Sequence, residues 1–418
     1  MEIGERIRQV RIHKGMTQTE LIKGICSNTY ISKIESGKAK PSYSFITKIA
    51  KVLEVDAEFL LDMNMKNVEP DVHRIYESYI SFRKINSQDL ALLKLHSKEN
   101  HSNFTLIKIY YVLISYYTAN DMEEAHPIVE QAKNIISPAQ PTFENETSYY
   151  FHSLYKYFNT NKNYSEALFY ANLHLESLQH EETSLRAAKA YLNLAQVRTK
   201  MDEDLELARL YTKKALQIFK DQDFKGGIAN SLAQLAIQYH RNDLYDDALK
   251  TLDELFQFSE GFNKDYYAPI LAYNYGRVYQ KQKQFDQAAA YMLQSIEYDI
   301  NADKEEETIH ALEVLSDISI QRKNWEEADD YLKKGFRLTT LYNLPNSYIQ
   351  LLHLRSQIYK ARFDFPSYEK ELQQAVQLAQ KGKYSLLAKE ISTELAEHYN
   401  EVRAYKMAAK YYQIALLC

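Results

Sequence analysis

The sequence predicts an all-α protein, a small helical head of about 60 residues followed by a long array of stacked helical hairpins. Three observations predict it. Only 10 Gly and 8 Pro occur in 418 residues, which leaves little material for strand turns and long loops. The first 60 residues hold apolar positions at helical spacing, punctuated by capping residues and glycines. Beyond them a small residue returns at steps of 42, 41 and then 40 residues to the end of the chain. The length alone calls for two to three domains or a repeat array.

In the head, Ile3, Ile7 and Val10 repeat at helical spacing and stop before Gly15, giving a first helix with Arg6, Arg8 and Arg11 outside its apolar stripe. Thr17 is an N-cap with Glu20 three residues on, a capping box for a short second helix that holds Leu21 and Ile22 and breaks at Gly24. Ser27 caps a third helix with Ile31 and Ile34 inward, ended by Gly37. Pro41 and Ser42 open a fourth, with Phe45, Ile46, Ile49 and Leu53 inward. Two short helices joined by a tight turn form a helix-turn-helix, whose second helix enters the major groove of DNA.

The stretch "TQTELIKGICSNTYISKIESGKAKPS" resembles the repressor-like (Xre-type) helix-turn-helix family through Thr17, Gln18, Glu20, Leu21, the Ile34–Glu35 pair and Gly37. Its turn, "KGICSNTY", is one residue shorter than the usual pattern of that family. The resemblance implies that the start of the third helix, with Asn28, Thr29, Tyr30 and Lys33, faces base edges, where Asn can pair with adenine and a Thr methyl can meet thymine, and that the capping Ser27 joins them at the DNA surface. It also implies that Gln18, Lys38 and Lys40 grip phosphates. Charge agrees: residues 1–66 carry 11 Lys/Arg against 8 Asp/Glu, and the rest 40 against 48. One copy makes few contacts, so double-stranded DNA with a two-fold operator and two copies of the chain are expected.

The polar stretch "DMNMKNVEP" predicts a linker over 62–70, dividing a DNA-binding domain over 1–61 from an array over 71–418. The array is anchored by Ala91, Ala125, Ala167, Ala208, Ala248, Ala288, Ala328, Tyr368 and Ala408, which makes nine hairpins. Twelve residues before an anchor is often a small residue (Ala236, Gly276, Ser316, Ser356, Ala396), and nine before it usually an aromatic (Phe82, Tyr116, Phe158, Tyr239, Tyr279, Tyr359, Tyr399). Four after it is mostly apolar (Val129, Leu252, Met292, Leu332, Leu372). Small residues let helices approach and aromatics fill the wedge between hairpins. This spacing resembles the tetratricopeptide family, which implies a right-handed superhelix with a groove lined by the first helix of each pair. The repeats around Ala208, with Arg198 where the aromatic belongs, and around Ala328, with Ser319 there, are the most divergent. A period near 40 is expected to lengthen the second helices or the links between hairpins, as in "SEGFNKDYYAP".

First helices in the middle of the array carry Asn193, Asn230, Gln234, Asn274, Arg277, His310 and Glu313. Amides that both donate and accept can hold an extended peptide whatever its sequence, and 35 tyrosines add flat contact area. A repressor-like head on a tetratricopeptide array resembles the cytosolic peptide-pheromone receptors of Gram-positive bacteria, the Rap, NprR, PlcR and PrgX group, most of all its NprR members. That resemblance implies a cytoplasmic quorum-sensing transcription regulator controlled by a short signalling peptide. The alternatives are a Rap-like interaction protein whose array docks a response regulator, and a peptide-independent DNA-binding scaffold.

An enzyme reading finds no phosphate-binding Gly-rich loop, no His pair at metal spacing and no Gly-flanked serine, so no catalytic residue, cofactor or metal is expected. No apolar run approaches the ~20 residues of a membrane span. Cys26 and Cys418, at opposite ends, suit a reducing compartment and form no disulfide framework. The apolar ending "KYYQIALLC" predicts that the last hairpin is covered by a second copy of the chain.

Overall fold

The structure is a computed structural model that describes residues 3–55, 57, 60, 68–99, 101–133, 135, 144–178, 180–202, 204–382 and 384–417. Every regular element among the described residues is helical. The chain divides into two compact units, Met1–Glu203 and Asp204–Cys418.

The first unit opens with α1 (Ile3–His13), α2 (Gln18–Leu21), α3 (Asn28–Glu35) and α4 (Tyr43–Val52). Both halves of the capping box form: Thr17 Oγ1 accepts from the Glu20 N–H, and the Glu20 carboxylate accepts from the Thr17 N–H at 2.7 Å. Ser42 caps α4 by accepting from the Phe45 N–H. Ser27 stands at the N-cap of α3 in extended backbone but makes no capping hydrogen bond, so its hydroxyl is spare. Ile7, Val10, Leu21, Ile22, Ile31, Ile34, Phe45, Ile46, Ile49 and Leu53 close one core. Gly4 is required there, because a Cβ would come within 1.8 Å of the Ile34 carbonyl oxygen.

Hairpins follow as α5 (Glu69–Phe82) with α6 (Ser87–His96), α7 (Asn103–Asn120) with α8 (Met122–Ala132), and α9 (Glu144–Thr160) with α10 (Tyr164–Glu176). Next comes α11 (Leu185–Met201), the last helix of this unit. Most of the 62–70 linker lies outside the described residues; α5 starts at Glu69 with Pro70 in its first turn. α1 packs on α6, and Leu95 of α6 completes the core of the head. Phe82, expected as a wedge aromatic, is 72% exposed; Tyr79 is buried instead, edge-on to Tyr111. A single apolar position slid by three residues along the same face is enough to mislead the template there.

The second unit begins with α12 (Leu205–Asp221) and continues through five hairpins: α13 (Lys225–Arg241) with α14 (Tyr245–Glu260), α15 (Lys264–Lys281) with α16 (Phe285–Asn301), α17 (Thr308–Gln321) with α18 (Trp325–Leu341), α19 (Pro345–Ala361) with α20 (Phe365–Lys381), and α21 (Ser385–Glu401) with α22 (Tyr405–Leu417). Most helices of these pairs run to 16–18 residues joined by three-residue links, the exception being 302–307, where a 3-10 turn over Glu305–Glu307 precedes the 14-residue α17, so the long period lies mainly in both helices. The "SEGFNKDYYAP" stretch is correspondingly the end of α14, a turn over 261–263 and the start of α15.

One turn recurs within these five hairpins. Asp243, Lys283, Lys323, Phe363 and Arg403 take a left-handed conformation, and the next N–H bonds back to the carbonyl five residues earlier, as Leu244 does to Tyr239 at 3.0 Å. An aromatic then starts each second helix: Tyr245, Phe285, Trp325, Phe365 and Tyr405. The anchors are buried throughout, and Gly276 shows why the position twelve residues upstream is small: a Cβ there would meet Met292 Cε at 2.6 Å and the Ala288 carbonyl at 3.2 Å.

Candidate nucleic-acid interface and polar face of the repeats

The third helix, α3, is held by one buried carboxylate. Glu35, 4% exposed, accepts from Arg11 Nε at 2.7 Å and Nη2 at 3.0 Å, and from Gln18 Nε2 at 2.7 Å. Arg11 also donates to the Met16 carbonyl, so α1, α2 and α3 meet at one fork of charge-assisted bonds. The structure thus places Arg11 inside the head and commits the Gln18 amide nitrogen to Glu35. Arg6, read from the sequence as outside the apolar stripe, is 3% exposed, with Nη1 donating to the Leu60 carbonyl at 3.0 Å and Nε 3.6 Å from Glu99. The reason is the packing of α1 on α6, which no local pattern reveals.

Outward from this core, Ser27, Asn28, Thr29 and Lys33 are exposed on or beside α3, as are Lys38 and Lys40 after it. Asn28 Oδ1 accepts from Thr19 Oγ1 of α2 at 3.4 Å, and the Tyr30 ring is taken up edge-on by Phe45 at 5.3 Å. Ser32 and Ser36, unremarked in the sequence, share the outward face, three residues on from Thr29 and Lys33 respectively. Lys23, Lys33, Lys38 and Lys40 make no ion pair among the described residues, which leaves their charge available to phosphate.

Of the residues singled out on first helices, Asn193 belongs to the first unit. It lies on α11, its Nδ2 3.4 Å from His152 Nδ1. Burial, with Lys156, Arg83 and Lys189 nearby, brings His152 down to about 4; burial, with His152 and Arg186, holds His174 well below the usual imidazole range. The two rings are 5.1 Å apart.

In the second unit, successive first helices touch, and polar side chains bridge them. Asn230 of α13 accepts from Tyr267 of α15 at 3.0 Å, and Gln234 is buried beside it. Asn274 donates to its own helix at Ile270, and Arg277 Nη1 to Tyr273 Oη at 3.3 Å, while Arg277 Nε is buried without a hydrogen-bond partner. Gln280 donates to Asp317 of α17 at 2.5 Å. His310 is exposed with Nδ1 3.7 Å from Glu313, and Gln350 of α19, with its amide nitrogen turned toward it, donates to both Glu313 oxygens at 2.9 Å. His353 and Gln357 then reach Glu394 of α21, which also accepts from Tyr368. Burial raises the Glu394 carboxyl, but these donors outweigh it and hold it at about 2.

The structure therefore extends the polar face beyond the expected residues to Tyr267, Gln280, Asp317, Gln350, His353 and Glu394. The 40-residue register was the available signal, since Arg277, Asp317 and Gln357 are one position in three repeats, as are Asn274 and Glu394 three repeats apart.

A helix-turn-helix family profile matches residues 7–60. No curated protein sequence matches the chain. Among solved structures, the chain is similar to a Rap protein complexed with competence and sporulation factor, at 14% identity and a TM-score of 0.61, covering 84% of this chain and 96% of that one. It is similar at 18% identity and a TM-score of 0.58 to the apo form of the quorum sensor NprR from B. thuringiensis, covering 84% of this chain and 99% of NprR. NprR in complex with its cognate peptide NprX gives the same identity and score, covering 84% and 98%. The chain thus joins a helix-turn-helix head to the repeat fold of the Rap and NprR proteins. Among the described residues no helix is long and apolar enough to cross a membrane.

Proposed function

We propose that this chain is a cytoplasmic transcription regulator whose head reads a two-fold DNA operator through α3 and whose second unit takes a short signalling peptide along its first helices. The observation that carries the reading is the polar ladder from Asn230 to Glu394. Amides and carboxylates stand in register on consecutive first helices, and the Arg277 guanidinium keeps a buried donor unused. An extended peptide offers one donor and one acceptor per residue to such a face. Asn230, Gln234, Asn274, Arg277, His310 and Glu313 are the contacts assigned to it; Asn193, in the first unit, is assigned to the peptide on its place in the repeat pattern alone.

On DNA, Asn28, Thr29 and Lys33 read bases with Ser27 and Tyr30 beside them, and Lys38, Lys40 and Gln18, the last at the N-terminus of α2, hold the backbone. A single head makes too few contacts for a specific site, so two copies bind. The last hairpin supports that pairing: Val402, Tyr405, Leu416 and Leu417 are exposed, the two leucines by 86% and 81%. Removing Ala409–Cys418 is expected to give monomers by light scattering, and a dimeric product would move the contact elsewhere.

The deciding experiment titrates the purified chain with a pool of short synthetic peptides while following its affinity for a selected operator. Asn28→Ala with Lys33→Ala is expected to erase the footprint and spare peptide binding. Asn274→Ala and Asn193→Ala should each weaken peptide binding by ~1 kcal/mol or more. Likeness of the array to the Rap fold favours a second reading, docking of a response regulator. Pull-down of a phosphorylated receiver domain, undisturbed by peptide, would support it.

A further inference from the structure

We propose that His96, Glu99 and His101 form a binding site for a divalent first-row transition metal, with zinc the best fit, at the seam where the DNA-binding head rests on the first hairpin. The sequence hides it: the spacing matches no familiar ligand motif, and the three residues converge only because the chain turns sharply after α6.

The donor geometry is the first argument. One donor atom from each residue lies within 4.8 Å of the others. Glu99 Oε2 is 3.0 Å from His96 Nδ1 and 3.7 Å from His101 Nε2. Donors on a tetrahedron of 2.0–2.1 Å bonds sit roughly 3.3 Å apart, between those two separations. A small inward shift of His101 would place all three around one ion.

The second argument is what the site lacks. His96 and His101 are nine-tenths or more buried, and the Nε2 atoms of both are sealed from water without a hydrogen-bond partner. His96 faces Glu99 through Nδ1, so the atom the ion would satisfy is Nε2 of His101, where a buried imidazole lone pair with nothing to accept is costly. His101 Nε2 is aimed at the same carboxylate oxygen that His96 already meets, at a separation too long for a hydrogen bond.

The third argument is the division of labour on Glu99. Its Oε1 faces the Arg6 guanidinium at 3.6 Å, and its Oε2 faces both imidazoles. A ligating carboxylate steadied on its other oxygen is the usual support around a metal. Two imidazoles and a carboxylate without a thiolate suit zinc. Because Arg6 belongs to α1, the ion would fix the head to the hairpin that carries it.

The test uses the full chain, stripped with chelator and titrated with Zn²⁺ against a chromophoric competitor, alongside Co²⁺ absorption spectra. One equivalent binding at micromolar or tighter, with the intense visible bands of four-coordinate cobalt, is expected. His101→Ala should weaken that binding by at least about 100-fold, and Glu99→Gln comparably. His180→Ala, exposed and outside every site described above, should leave it unchanged. Wild-type binding weaker than micromolar would overturn the proposal. So would binding that survives His101→Ala intact, which would reveal a purely ionic cluster around Glu99. Should His101→Ala lose its circular dichroism, Glu99→Gln and the wild-type cobalt spectrum decide the matter.

Discussion

Replacing Glu35 by leucine should detach α3 from the head, and the structure sets the scale. Two bonds from Arg11 and one from Gln18 end on this carboxylate, and the Arg11 side chain keeps only 11% of its surface exposed. Removing Glu35 leaves a nearly buried guanidinium holding only the Met16 carbonyl, so the cost is about 3–4 kcal/mol. Removing both charges as Arg11→Met with Glu35→Leu leaves an apolar pair of similar volume. That double variant should stand within roughly 1–2 kcal/mol of the wild type. Hydrogen exchange of the α3 amides in rising urea reports the head separately from the repeats, which hold Trp325 and most of the tyrosines and so dominate the fluorescence. If the two single substitutions add without recovery in the double variant, the fork is not what holds α3, and the reasoning fails.

Other consequences follow from the packing. Gly4→Ala drives a Cβ into the Ile34 backbone and should cost on the order of 2–4 kcal/mol, measured as lost protection in α1 and α3. Gly276→Ala meets mainly the flexible end of Met292 and should cost about 1 kcal/mol; equal costs would refute the contrast. His152 and His174 stay neutral in the fold while the unfolded chain takes up protons near pH 6.5. Their stabilisation is full above that value and is lost as pH falls toward about 4. Urea midpoints at pH 7 and pH 5 should differ less in His174→Leu than in the wild type, and an unchanged difference would count against the pair. Glu394 has the opposite chemistry and a lower window, its contribution lost from about pH 4.5 down to about 2. In Glu394→Gln that part of the acid sensitivity should vanish.

Much of this was legible because it is local. The Thr17–Glu20 box, the Ser42 cap and the inward residues of the head each depend on neighbours within four positions, and they form as expected. The alanine anchors were legible because the same steric demand recurs every 40 residues. Phe82 was misplaced where the first hairpin departs from the template, and Tyr79 does its work. The period was assigned to links or second helices when both helices carry it, since left-handed Asp, Lys, Phe and Arg residues make three-residue turns without glycine. Arg6 was illegible for another reason: its burial beside Glu99 exists only once α1 lies on α6, a contact about 90 residues apart that no spacing encodes, while the His96–Glu99–His101 cluster is made by a turn after α6 that matches no ligand motif.

The central claim is that one chain couples a groove-borne peptide to a DNA-reading head, and thermodynamic linkage measures it directly. DNA affinity should be determined with and without saturating peptide, and peptide affinity with and without saturating operator, at one salt concentration. The account predicts a shift of about fivefold or more, equal in both directions. A peptide that binds the second unit tightly yet leaves operator affinity unchanged would contradict it.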